Sequence, residues 1–401
     1  MTNEHRLCGR MTRRGLLANT GLAALGAALL PRAGQALNAP ATPVALARCL
    51  SYDAELLPTL AKMFDQIGGL GRLVKGKTVA IKINMTGDPD GRIGYLPIGL
   101  TTWTNPSLIG ATIHLLGKAG ARRIRLLESP WKSVEPIQEF MTAAGWDPAI
   151  FTSAAANVEF ENTNFLGFGT KYSRFPVPRG GHLFPAFDLN HSYADCDVFV
   201  SIGKLKEHTT AGITLSMKNC FGLTPCTIYG TGAGVDEPTI VPTGGRDMVH
   251  SGSRQPSKIA LPEKDPKSPR EGGYRVPRTV VDLISARPID LAVVEGIRTM
   301  AGGEGPWIPG CKAVAPGVMV AGTNPVNVDA VSMAVMGFDP MADRGTPPFE
   351  TCDSTLRLAE DVGVGTRDLK RIEVVGTPIR GAMFSFAELR RQRRRARFQR
   401  Q

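Results

Sequence analysis

The stretch DVFVSIGKLKEHTTAGITLSMKNCFGL, residues 197–223, opens with an apolar run and ends in a crowd of cations. Val, Phe and Ile over 198–202 predict a short buried strand, because β-branched and aromatic side chains pack well on a pleated surface. Gly203-Lys204-Leu205-Lys206-Glu207-His208 then leaves that strand, followed by Gly212-Ile213-Thr214 and Met217-Lys218-Asn219-Cys220-Phe221-Gly222. Thr214, Lys218 and Asn219 share helical spacing, so the reading is a strand, a turn and a helix that gather three lysines and an imidazole. Lysine supplies a point charge for phosphate or carboxylate, histidine moves protons near neutrality, and an amide such as Asn219 fixes orientation. The competing reading is a solvated helix whose lysines are ordinary surface charge.

Outward from this stretch, short Val- and Ile-rich runs alternate with helical patterns. Strands are predicted over 78–83, 123–127, 198–202, 291–294 and 318–321, and helices over 56–67, 106–118, 134–144, 280–285 and 325–336. That alternation predicts an α/β fold with a largely parallel sheet flanked by helices. Two stretches, 87–105 and the Gly/Pro-rich 223–277, carry little periodicity and read as long loops of the kind used for binding. Each apolar run exits into polar residues: Lys82 and Asn84, Glu128, Lys204 and Lys206, Glu295, and Thr323 with Asn324. In an open parallel sheet ligands bind beyond the carboxyl ends of the strands, so these five exits are expected to converge on one site.

The excess of 11 positive charges over 401 residues sits at the ends. Residues 1–36 hold five Arg against one acid and residues 387–401 seven Arg against one, leaving a nearly neutral body. Clustered cations along the fold itself would be needed for nucleic acid, and this balance argues against it. Arg6, Arg10, Arg13 and Arg14, an apolar run over 22–30 and small residues up to Ala36 form the three zones of a signal peptide. Thr12-Arg13-Arg14-Gly15-Leu16-Leu17 resembles the twin-arginine motif, which implies export of the folded chain by the twin-arginine machinery to the periplasm. The α/β domain is expected over 43–380. The arginine tail from 387 suits an anionic membrane surface, and deleting 389–401 is expected to leave the melting temperature nearly unchanged. Seven cysteines form no C-x-x-C, so no iron–sulfur cluster is expected; Cys220 and Cys226 read as small buried hydrophobes, with pairing as the alternative.

The quoted segment, with VAIKIN at 79–84, EGIRTMAGGEGP at 295–306 and GTNPVNVDAVSMAVMGFDP at 322–340, resembles the domain of unknown function 362 family in order and spacing. Glu295 stands where that family often has Asp, and Ile83 replaces a Pro between Lys82 and Asn84. The resemblance implies a site and no named reaction. Carried over residue by residue, it gives Lys82, Asn84, Lys204, Lys206, His208, Thr214, Lys218, Asn219, Glu295 and Asp329. His208, Lys204, Lys206 and Lys218 are then the candidates for chemistry, and Lys82, Asn84, Thr214 and Asn219 for holding a ligand. Gly303 and Gly305 are candidates through backbone N–H groups open to an anion. Glu295 and Asp329 suit a hard divalent metal such as Mg²⁺, with capping and ion-pair roles as the alternative. His182 and His191 read as loop or core residues.

Two functional readings follow. One is an exported enzyme acting on a phosphorylated or carboxylated small molecule; the other is a non-catalytic ligand- or cofactor-handling protein with the same pocket. In either, a cation cluster repels itself when empty. Lys204→Ala or Lys218→Ala is therefore expected to abolish binding while leaving the fold at least as stable.

Overall fold

The computed structural model describes residues 39–131 and 133–391. Among the described residues thirteen strands form: β1 (Val44–Arg48), β2 (Thr78–Lys82), β3 (Arg123–Glu128), β4 (Val158–Asn162), β5 (Ser173–Pro176), β6 (Ala186–Leu189), β7 (Val198–His208), β8 (Gly212–Thr214), β9 (Leu291–Gly296), β10 (Thr299–Ala301), β11 (Lys312–Val314), β12 (Val318–Gly322) and β13 (Val374–Gly376). Nine of these make the main sheet, in the order β13-β1-β12-β9-β7-β2-β3-β4 with β8 paired to β7. Strands β9, β7, β2, β3 and β4 run parallel to one another, which gives the expected α/β architecture.

Alternation along each strand builds two apolar layers. On one face Val79, Ile81, Val198, Val200, Ile202, Val293 and Leu126 pack against α1 (Leu56–Gln66) and α2 (Pro106–Lys118). On the other, Ala80, Phe199, Leu127 and Val294 pack against α3 (Leu215–Asn219), α4 (Gly272–Ala286) and α5 (Pro325–Val335). Pro106 at the first turn of α2 follows Asn105, whose side chain accepts from Ser107 N and caps the helix. Helix α4 starts eight residues before the predicted 280–285 segment and runs through Pro277. A proline there cannot donate to the carbonyl of Gly273; Asp353 N donates to that carbonyl instead, at 2.9 Å.

Two expectations change. Strand β7 does not end at Ile202 but continues through His208, because β8 turns back on it and β9 accompanies it as far as Lys204. Strand β12 is antiparallel to both β9 and β1. Its exit, Thr323 and Asn324, therefore lies at the edge of the sheet opposite Lys82, Glu128, Lys204 and Glu295. Asn324 serves there as the N-cap of α5, accepting from Val326 N and Asn327 N. A polar exit after an apolar strand is the same local pattern whichever way the strand runs, so only pairing could separate this one from the other four.

Cys220 and Cys226 are free and buried. The signal-peptide zones and the tail beyond Arg391 lie outside the described residues. The start of the tail is packed: Leu389 lies against the core, and Arg390 pairs with the buried carboxylate of Glu207 and bidentately with Glu350 at 2.6 and 2.7 Å. Deleting 389–401 should therefore lower stability by about 1–3 kcal/mol, since Glu207 is left buried without its cation. Arg390→Ala should reproduce most of that loss in thermal unfolding; a deletion with an unchanged melting temperature would show that the contact carries no weight.

Candidate functional site

Period-two geometry places Lys204, Lys206 and His208 on the same face of β7 as Val198, Val200 and Ile202. The apolar stripe thus turns cationic where the strand outruns β2, whose last partner on β7 is Ser201. Residues 98–105 lie over this stripe. Lys204 Nζ donates to Gly99 O at 3.0 Å, Lys206 Nζ to Thr102 O at 2.8 Å, and Thr104 Oγ1 to Ile202 O at 3.2 Å.

The four lysines have different surroundings. Lys204 and Glu295 are register partners on β7 and β9 and form a salt bridge with both side chains fully buried. Glu295 also accepts from Tyr52 Oη at 2.6 Å and Asn105 N at 3.3 Å. Lys82 points to the α3 side and pairs with Glu128 at 2.6 Å. Lys206 has no carboxylate partner among the described residues; its second acceptor is the carbonyl of Glu304 at 2.8 Å. Burial lowers its pKa to about 7, against the pull of Glu304. Lys218 is half-buried, with no hydrogen bond or ion pair among the described residues, and its Nζ lies 4.3 Å from the Phe221 ring centroid. Burial, then Arg246 and Lys82, bring its pKa down to about 7, while Glu304 opposes them.

Two imidazoles complete this cluster. His208 is held well below its usual pKa by burial, then by Lys218, His250 and Lys206. His250 is lowered to about 4 by burial and Lys218, and its ring meets Phe221 edge-on at 4.6 Å. Arg246, one turn before His250, is held by Thr224 O at 3.0 Å and Ser129 O at 3.2 Å and has no carboxylate partner among the described residues. Facing them is Glu304, whose carboxylate accepts from Thr209 N, Thr209 Oγ1 and Trp307 Nε1. Sequence reasoning missed Arg246, His250 and Glu304. The four-residue spacing of Arg246 and His250 was a usable signal, hidden in a stretch read as loop.

Lys206, His208 and Lys218 interact electrostatically with one another, and Lys82 with Lys218; Glu295 and Asp329 play other parts. Asp329 is buried beneath α3 and accepts from Ser216 N at 2.9 Å, Ser216 Oγ at 2.6 Å and Met217 N at 3.0 Å, so it caps that helix. Burial raises its pKa to about 7 while those donors oppose the rise. Asn219 clasps the sheet where β2 and β7 part, donating to Lys82 O, Ser201 Oγ and Ile202 O and accepting from Asn84 Nδ2. Asn84 Oδ1 is buried with no donor among the described residues. Thr214 is buried just before α3 and donates weakly to Glu207 O at 3.5 Å. A Cβ on Gly303 would strike Ile308 and one on Gly305 would strike Trp307, so both glycines serve close packing of the loop. His191 bonds Glu161 and Asp195, away from the cluster. Two surface grooves also lie elsewhere, one between α1 and α2 and one beside Thr323.

A family model described as Domain of unknown function (DUF362) matches residues 79–334. The thylakoid-associated protein sll1697 of Synechocystis sp. is 28% identical over 185 residues, which is 45% of this chain and 50% of that protein. The chain thus spans half the length of this curated relative. Among solved structures, the lactate racemase apoprotein from Thermoanaerobacterium thermosaccharolyticum aligns with a TM-score of 0.34 and 14% identity, covering 68% of this chain and 54% of that one. A protein from Thermotoga maritima aligns with a TM-score of 0.33 and 14% identity, covering 63% and 52%.

Proposed function

We propose, for a chain that belongs to the domain of unknown function 362 family, that it binds a small organic anion at the cluster of Lys206, His208, Lys218, Arg246 and His250. The observation that carries this reading is the charge balance: Lys206, Lys218 and Arg246 have no carboxylate partner among the described residues, and Glu304 is the carboxylate facing them. Partly desolvated cations repel one another at short range, and a bound anion relieves that repulsion.

A divalent metal fits less well. Glu295 is engaged by Lys204 and Tyr52, and Asp329 by three donors at the start of α3. Among the described residues no group of three or more His, Cys, Asp or Glu could hold an ion. Calorimetric titration with oxalate tests the anion reading directly. Binding should be present in the wild type, weaken at least tenfold in Arg246→Ala and in Lys218→Ala, and decline as salt rises. Oxalate binding that ignores both substitutions would place the anion elsewhere.

The site is proposed to work outside the cytoplasm, after export in the folded state, with the arginine tail against anionic lipid. The support is the paired Arg13 and Arg14 ahead of an apolar run and small residues. A reporter fused after residue 45 should reach the periplasm, and Arg13→Lys with Arg14→Lys should stop it; export that survives the double change rejects the twin-arginine route.

A further inference from the structure

We infer that Lys218 is a nucleophile, whose ε-amine condenses with the carbonyl carbon of a small 2-oxo carboxylate held at this cluster to form an imine. This rests on the anion reading above and extends it, assigning Arg246 and Lys206 to the carboxylate and Lys218 to the reacting carbon.

The first support is the difference among the four lysines. Lys82 and Lys204 are locked in buried ion pairs, and Lys206 donates to two carbonyls. Among the described residues Lys218 has none of these partners, and it is half-buried rather than sealed. A lysine attacks only through an unprotonated lone pair, which an ion pair would hold protonated. Neighbouring cations do the reverse and favour the neutral amine. The charged and titratable groups facing Lys218 are Arg246, Lys82, Lys206, His208, His250 and Glu304. Glu304 alone among them favours the charged form, and its carboxylate is occupied by Thr209 and Trp307.

The second support is that the two imidazoles have opposite tautomers. Thr210 N donates to His208 Nδ1 at 3.2 Å, which puts the His208 proton on Nε2 and makes that nitrogen a donor. His250 Nδ1 meets the carbonyl of Arg246 at 2.8 Å, so Nδ1 carries the proton and Nε2 keeps a lone pair. Both rings are neutral at physiological pH because burial disfavours their charged forms. One imidazole can therefore donate to a developing oxyanion while the other accepts a proton from the attacking amine.

The chemistry balances without a further reactant. The Lys218 nitrogen bonds to the carbonyl carbon as the C=O π bond breaks, and His208 Nε2–H stabilises the oxygen. His250 Nε2 takes the two amine protons from nitrogen one after the other and passes each to the oxygen. The C–O bond then breaks and the C=N bond forms, so both amine protons depart with the oxygen as water. No electrons leave the system.

The test is pyruvate with sodium borohydride on the full chain, read by intact mass and peptide mapping. One reduced adduct should appear, on the peptide holding Lys218, and it should vanish in Lys218→Arg, which keeps the charge; Lys218→Met gives the same readout if arginine does not fit. Adducts spread in proportion to exposure, with the solvent-facing Lys258 labelled as strongly as Lys218, would overturn the inference. So would an adduct that persists in both variants. Oxalate titration of the same samples separates the two readings: oxalate binding without an adduct leaves the anion site standing and rejects the imine, whereas failure of both rejects the site itself.

Discussion

Lys204→Ala should destabilise the fold by about 3–5 kcal/mol, because it strands the Glu295 carboxylate where no water reaches it. Both side chains of this pair are fully buried, and the register of β7 against β9 sets them opposite each other. Tyr52 and Asn105 would remain as donors to Glu295, but neither brings a charge. Glu295→Gln should be costly for the matching reason, since burial already disfavours the charged form of Lys204 and Glu295 is what offsets it. The double change Lys204→Met with Glu295→Leu should recover most of the loss, as removing both buried charges removes both desolvation costs. Denaturant unfolding of the three variants decides the matter. Equal stability of Lys204→Ala and wild type would mean that the pair is not sealed as described. The result expected here is the opposite of the sequence-based expectation for Lys204, which treated it as one of a set of ligand-facing cations.

Lys218 should behave in the other way, and its signature is a pH dependence. Its pKa in the folded chain is lowered to about 7 from the usual 10.5 by burial and by Arg246 and Lys82. Below about pH 7 the lysine is charged whether the chain is folded or not, and the folded state carries the full cost of a cation beside cations. Between there and the unfolded value the folded chain has released its proton and the unfolded chain has not, so wild-type stability climbs with pH through this window. Lys218→Met removes the group. The variant should therefore melt higher than wild type at about pH 6, and its advantage should shrink toward about pH 9. Lys206, lowered in the same direction, is present in both proteins and cancels from the difference. A variant that melts lower than wild type at about pH 6 would show that Lys218 is held by a partner and is not an open cation.

Much of the fold was legible because its signals are local. Apolar runs at 78–83, 123–127 and 291–294 became β2, β3 and β9 within a residue or two, and Asn105-Pro106 marked the start of α2. The K-L-K-x-H block was rightly picked as the place where apolar strand meets charge. Its geometry was read wrongly, because a strand carrying lysine at alternate positions looks like a strand that has ended. What kept β7 extended is β8 folding back on it and the cover of residues 98–105 over its lysines, both non-local contacts.

The sequence by itself determined the class of fold, the segments that supply its strands and helices, and the family, since hydrophobic periodicity, capping and motif order are properties of neighbouring residues. Only the tertiary structure decided the direction of β12, which sent Thr323 and Asn324 to the far edge, and the fate of each lysine. Lys82, Lys204, Lys206 and Lys218 are chemically the same side chain. What makes two of them halves of buried ion pairs, one a carbonyl-bound cation and one an open amine is the set of groups that folding brings opposite each, and Glu128, Glu295, Glu304 and Arg246 stand between 28 and 98 positions away along the chain.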